Sequence, residues 1–319
     1  MNPPRTSKSS QNVLIRLALT FAVFTLSAGP RFPPATLKSE TVRRFDTFVA
    51  GIEESMAERH EGASSFLWLS ENPSRLEAAE TGRIVIQKLD NDADLDGAMI
   101  HNWIAGMFVP DVTVNDILNV FLDYDGYPDF YPGVVSSELL RSDGDTNKIY
   151  QRLRRKGVVL DTWHDASFGK LDQGRAVTWS KSTEIREVKN EGKPNEELLP
   201  EGEDRGYMWR MYLYWSLEQT DDGVFAECHS ISLSRAVPFL LRWLVNPFIR
   251  NIPRDALEQS LEATRLEAQR LAAARSLRGR RDRSEKAGNR GQIFSILRRI
   301  VVLFNKKWGE YGPILLLSQ

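Results

Sequence analysis

The chain predicts an α+β fold in which a curved antiparallel sheet is wrapped around a long helix near the C-terminal end. Three observations predict it. From Val134 to Arg235 six strand-like segments follow one another, separated by turn sequences such as DGDTN, LDQG and TDDG. That is an antiparallel meander and not a succession of βαβ units. Pro253 then opens a helix to about Leu277 whose Leu257, Leu261, Thr264, Ala268 and Leu271 form one stripe, with Glu258, Glu262, Arg265 and Glu267 facing away. Ahead of the meander, a strand from Ala98 to Pro110 leads into helical spacing at Val114, Ile117, Leu118 and Phe121, which Pro128 should end.

The remaining elements follow in chain order. Residues 1–38 read as a signal-like leader and linker: Arg5 and Lys8, an apolar stretch from Val13 to Ala28, then Ser27, Ala28 and Gly29. Its uninterrupted core, Leu17 to Leu26, is too short for a bilayer span of roughly 20 residues. The expectation is an exported or membrane-associated protein, with cleavage or retention of the leader left open and a cytoplasmic location as the alternative. Residues 39–97 form an accessory segment. A helix from Ser39, its N-cap, to about Arg59 carries Val42, Phe45, Val49, Ile52 and Met56 on one stripe. SSFLWLSEN and GRIVIQKLD read as strands, and NDADLDG as a turn. The ligand-binding domain proper spans 98–277. Residues 278–319 are a basic linker followed by a tail in which Ile293, Ile296, Leu297, Ile300, Val301 and Phe304 share one side of a helix.

Charge is segregated. The net charge is −1, yet residues 1–39 hold five Lys/Arg and no acid, and residues 275–319 hold eleven Lys/Arg against three acids. The intervening body carries −14. An acidic body repels phosphates, so nucleic acid is excluded as its partner, whereas basic ends suit an anionic membrane surface. The single cysteine, Cys228, precludes an intramolecular disulfide and reads as a small hydrophobe in a strand. The four histidines are dispersed, with no HExxH or HxH. Asp90, Asp92, Asp94 and Asp96 imitate part of a calcium loop, but no Glu stands at the twelfth position. No metal or other cofactor is expected. GxSxG, Walker and GxGxxG sequences are absent, which lowers hydrolase, nucleotidase and dehydrogenase readings together.

Four features between Ala98 and Ala274 carry a family likeness. They are the IHNW strand, the helix ending in YPDFYPGV, the aromatic strand WRMYLYW, and the passage from SISLSRAVP into the last helix. This stretch, roughly half the chain, resembles the START-like (SRPBCC) helix-grip superfamily, nearest its polyketide cyclase and lipid-transport branch. The resemblance implies an apolar cavity between sheet and helix, with the YPDFYPGV turn near its mouth. It implies binding, and possible carriage, of a lipid or other hydrophobic small molecule. A polyketide cyclase or aromatase is the alternative it also implies.

The candidate ligand-binding residues follow. Alternation along Gly206–Thr220 places Trp209, Met211, Leu213, Trp215 and Leu217 on one uniformly apolar face, expected to point inward. His101 and Trp103 share a face of their strand. Tyr127, Phe130 and Tyr131 bring aromatic surface to the turn, stiffened by Pro128 and Pro132 and released by Gly133. VPFLLRWLVNPFIRNIP is too apolar for an ordinary connector; it reads either as a helix packed on the open end of the sheet or as a lid over the cavity that touches a bilayer through Trp243 and Phe248. Arg152, Arg154 and Lys156 on one strand would hold an anionic head group if inward, but such a stripe is more often a wet face. No catalytic residue is assigned, because the inward set is mostly apolar.

Overall fold

The computed structural model describes residues 35–62, 65–89, 95–172, 174–236 and 252–279. They belong to two compact units, residues 1–268 and 269–319. In the second unit, residues 269–279 are helical. The first unit holds everything that follows.

Its elements in chain order are α1 (Ser39–Glu61), α2 (Pro73–Glu80), β1 (Val85–Lys88), β2 (Ala98–Pro110), α3 (Val114–Leu122) and α4 (Tyr127–Phe130). The meander follows: β3 (Val134–Asp143), β4 (Thr146–Arg155), β5 (Val158–Lys170), β6 (Arg175–Lys189), β7 (Glu197–Leu198), β8 (Arg210–Gln219) and β9 (Gly223–Arg235). A last helix, α5, covers 252–279 and belongs to this unit up to residue 268.

All pairings are antiparallel, in the order β1-β2-β9-β8-β6-β5-β4-β3, with two-residue β7 beside β6. The long strands of the meander pair in sequence order. The last then returns to the first long strand, β9 to β2, over thirteen residue pairs from Ala98↔Arg235 to Pro110↔Gly223. β1 and β3 remain as edges, so the sheet is curved but not closed into a barrel.

Both faces of this sheet are covered, and α1 takes the outer one. Phe45 and Val49 on α1 pack with Ile100, Tyr214, Ile231 and Leu233, while Ile52 and Met56 flank them half-buried. Burial of a side chain such as Phe45 or Val49 contributes about 1.5–3 kcal/mol. Polar contacts fix the helix end: Arg59 meets Glu227 of β9, and His60 Nε2 lies 3.0 Å from Ser216 Oγ of β8. α3 begins with a capping box in which Thr113 and Asp116 satisfy each other's backbone N–H groups. α5 lies on the opposite, inner face and buries Leu257, Leu261, Thr264 and Ala268.

Four local expectations are corrected. SSFLWLSEN is not a strand. Phe66, Leu67, Trp68 and Leu69 are all buried, without the alternation of a strand, and a short 3₁₀ turn at Leu69–Glu71 follows. Asn72 then accepts from Ser74 N, and Pro73 at the first helical position starts α2. The helix after β2 ends at Leu122, well before Pro128. That proline sits in the first turn of α4, where a missing N–H costs nothing. Ser39 is the first residue of α1 and not its cap; Lys38 occupies the cap position without a side-chain hydrogen bond. Glu267, expected to face away, is buried.

Candidate functional site

The inner face is best followed row by row across β2, β9, β8 and β6, because register places residues of the same facing side by side. At one end stand Met107, Ala226, Leu217 and Ala176, all fully buried. The next row, Ala105, Cys228, Trp215 and Thr178, is buried too, and Phe121 of α3 lies on Trp215 with ring centroids 4.8 Å apart. The third row differs. Trp103, Ser230, Leu213 and Ser180 are all only half-buried, although they lie in the middle of the sheet. In the fourth, His101 and Met211 are half-buried while Ser232 between them is buried. Packing is therefore complete at the α3 end and incomplete across a strip four strands wide.

The strip is more polar than the alternation of β8 suggests. Ser230, Ser232 and Ser234 of β9 and Ser180 and Ser182 of β6 share this face with Met211 and Leu213. His101 Nε2 lies 2.8 Å from Ser234 Oγ. Burial, assisted by the Lys88 charge, holds His101 down to about 4, so its ring is neutral at neutral pH. On β5, His164 pairs with Ser182 and faces the same side. It is buried, its Nδ1 is 3.4 Å from Ser180 Oγ, and its Nε2 has no hydrogen-bond partner among the described residues. Burial brings His164 also to about 4. Tyr131 rises from the α4–β3 turn to place its Oη 2.8 Å from Thr264 Oγ1 of α5. Burial pushes the Tyr131 phenol upward, and likewise the Cys228 thiol, which therefore stays protonated and is no nucleophile.

The aromatic turn is a packed cluster. Tyr127 donates to Phe121 O at 2.6 Å, and its ring meets those of Tyr124, Phe130 and Tyr131 edge-on. Tyr127 is buried; Phe130 and Tyr131 are half-buried. Gly133 has φ 93°, and a Cβ there would lie 3.1 Å from Arg154 O, so the turn into β3 requires glycine.

The sequence candidates thus divide. His101, Trp103, Met211, Leu213 and Trp215 share the inner face, and Phe130 and Tyr131 border it. Trp209 does not join them. It precedes β8, donates from Nε1 to Asp204 at 3.1 Å, and packs under α1 with Phe45 and Leu233. The alternation rule fails for it because it stands one residue before the strand begins. Trp243 and Phe248 lie outside the described residues. Arg152 and Arg154 face outward: Arg152 makes two bonds to Asp161 (2.7 and 2.9 Å) and pairs with Glu196, and Arg154 pairs with Glu191.

Sequence reasoning missed Ser180, Ser230 and His164. For Ser230 the sequence signal is the alternation of Ser230, Ser232 and Ser234 with Ile231 and Leu233, which does not say which set faces inward. Among the described residues no group of three or more His, Cys, Asp and Glu side chains could hold a metal ion, and no helix is long and apolar enough to cross a membrane.

Strand order, the helix inserted after the first long strand, and the closing α5 define a START-like helix-grip fold. No family model matches the chain, and no curated protein matches it. Solved structures are similar. A STAR-related lipid transfer protein from Xanthomonas axonopodis shares 18% identity at a TM-score of 0.39, over 56% of this chain and 96% of its own. The Zhui aromatase/cyclase from Streptomyces sp. R1128 shares 12% at 0.41, over 54% and 95%. Human STARD10 shares 12% at 0.35, over 65% and 83%.

Proposed function

We propose that the chain binds a lipid or other hydrophobic small molecule on the inner face of its sheet, without catalysing a reaction. The observation that carries this reading is the half-buried strip of Trp103, Leu213, Ser230 and Ser180 in mid-sheet, continued by His101 and Met211. Apolar side chains left incompletely covered there supply about 25 cal/mol for each Å² a ligand removes from water, before the cost of ordering it. The basic ends and the apolar stretch containing Trp243 and Phe248 support work beside an anionic membrane surface. The leader supports export or membrane association. Carriage between membranes is the use such a site would serve.

A cyclase-like enzyme is the second reading. The presence of His101, His164 and Tyr131 on or beside one face favours it, since such groups could orient a polyketone. With both rings neutral and the phenol held protonated by burial, they would act as hydrogen-bonding groups and not as ions.

Diphenylhexatriene, dark in water and bright in apolar surroundings, tests the binding reading. The full chain should light it up, and Leu213→Asp should weaken binding about tenfold or more by placing a carboxylate in the strip. A wild-type chain that leaves the dye dark contradicts the proposal.

A further inference from the structure

The inner face contains a buried polar atom that the fold itself does not use. His164 is 3% exposed, and its Nε2 has no partner among the described residues, although β4 and β5 pair in unbroken register around it and β6 resumes its pairing with β5 at His164 after a bulge. A buried imidazole nitrogen without a partner carries a desolvation cost, so such atoms usually meet water or a ligand. The neighbours of His164 do not reach this atom. Ile149, opposite on β4, is apolar, and Ser182, opposite on β6, accepts from Met211 N at 2.9 Å. Ser180 Oγ is on the other ring nitrogen. We take the tautomer in which the Ser180 hydroxyl donates to Nδ1; it leaves the proton of the neutral ring on Nε2 and makes that atom a donor. Ser180 also belongs to the half-buried strip, so His164 stands directly beside the proposed seat.

Resting on the binding reading above, we infer that His164 Nε2–H is the polar anchor of the site, donating a hydrogen bond to a carbonyl oxygen of an otherwise apolar ligand. The ligand class is a ketone or ester with a hydrocarbon body. Neither a bare hydrocarbon nor a cation fits, because the first leaves the donor unmet and the second repeats it.

Two probes test this on the full chain: laurdan, a naphthyl ketone whose emission reddens when its carbonyl accepts a hydrogen bond, and diphenylhexatriene, which has no acceptor. His164→Leu should weaken laurdan about five- to tenfold and shift its bound emission to the blue, while leaving diphenylhexatriene unchanged. His164→Gln, which keeps an N–H donor, should restore part of the laurdan affinity. In the wild-type chain, where no variant needs to fold, ¹⁵N-imidazole spectra should show one histidine Nε2 shifting with laurdan and not with diphenylhexatriene. If both probes bind but His164→Leu treats them alike, or no imidazole responds selectively, the anchor is overturned and the binding reading stands. If neither probe binds the native chain, the binding reading falls and the anchor with it.

Discussion

Arg59 Nη2 lies 3.0 Å from Glu227 Oε1, joining the last turn of α1 to the outer face of β9. Glu227 is 2% exposed and also accepts from Leu69 N, so its second oxygen is engaged as well. Arg59→Ala removes the cation and leaves a buried carboxylate unpaired. It should lower stability by about 3 kcal/mol or more. Arg154→Ala breaks an ion pair that is half open to solvent and should cost far less. Urea unfolding of the two variants checks the contrast; equal losses contradict it.

Stability should vary with pH in two opposed ways. Burial holds His60, His101, His164 and His229 each near 4, below the ordinary 6.5. Their contribution is complete above pH 6.5 and is lost as the pH falls through 4, because the unfolded chain binds those protons first. Glu227 runs the other way. Burial raises it to about 7 despite Arg59, so its contribution is complete below 4.5 and is lost as the pH rises through 7. Glu227→Gln deletes only the second component. Urea titrations at pH 5, 6 and 7 should show stability rising more steeply in the variant than in the wild type. Parallel curves contradict the assignment.

Gly106 sits mid-strand in β2 because Leu69 lies against it: a Cβ there would come within 2.5 Å of Leu69 Cγ. Leu69 is fully buried and cannot retreat into solvent. Gly106→Ala should therefore destabilise by about 1–3 kcal/mol through overpacking. Adding Leu69→Ala should cost less in that background than alone. A melting temperature unmoved by Gly106→Ala contradicts the close approach.

Tyr131 and Thr264 tie the aromatic turn to α5 through one hydrogen bond. Tyr131→Phe and Thr264→Val should each cost about 1 kcal/mol, and the double variant should cost less than their sum. Full additivity shows that the bond is unimportant.

The meander and α5 were legible because strand alternation, turn residues and a one-sided helix all agree locally. The facing of β8 from Met211 to Leu217 was legible for the same reason. The inner polar groups were not. The alternation rule assumes one wet face, whereas α1 covers the outer face of β9, so Ile231 and Leu233 are buried outside and the serines turn inward. Nothing in a single chain's spacing says which of two covered faces receives the apolar set. SSFLWLSEN misled because an apolar run that short fits a strand or a packed turn equally well. His164 looked like an isolated residue because its significance lies in a missing partner, which only three neighbouring strands reveal.

Native mass spectrometry of the full chain, released gently from the cells that made it, tests the central claim most directly. The account predicts protein ions heavier than the polypeptide by the mass of one small apolar molecule, which organic extraction removes and recovers. Ions at the bare polypeptide mass, with no apolar compound in the extract, would contradict it.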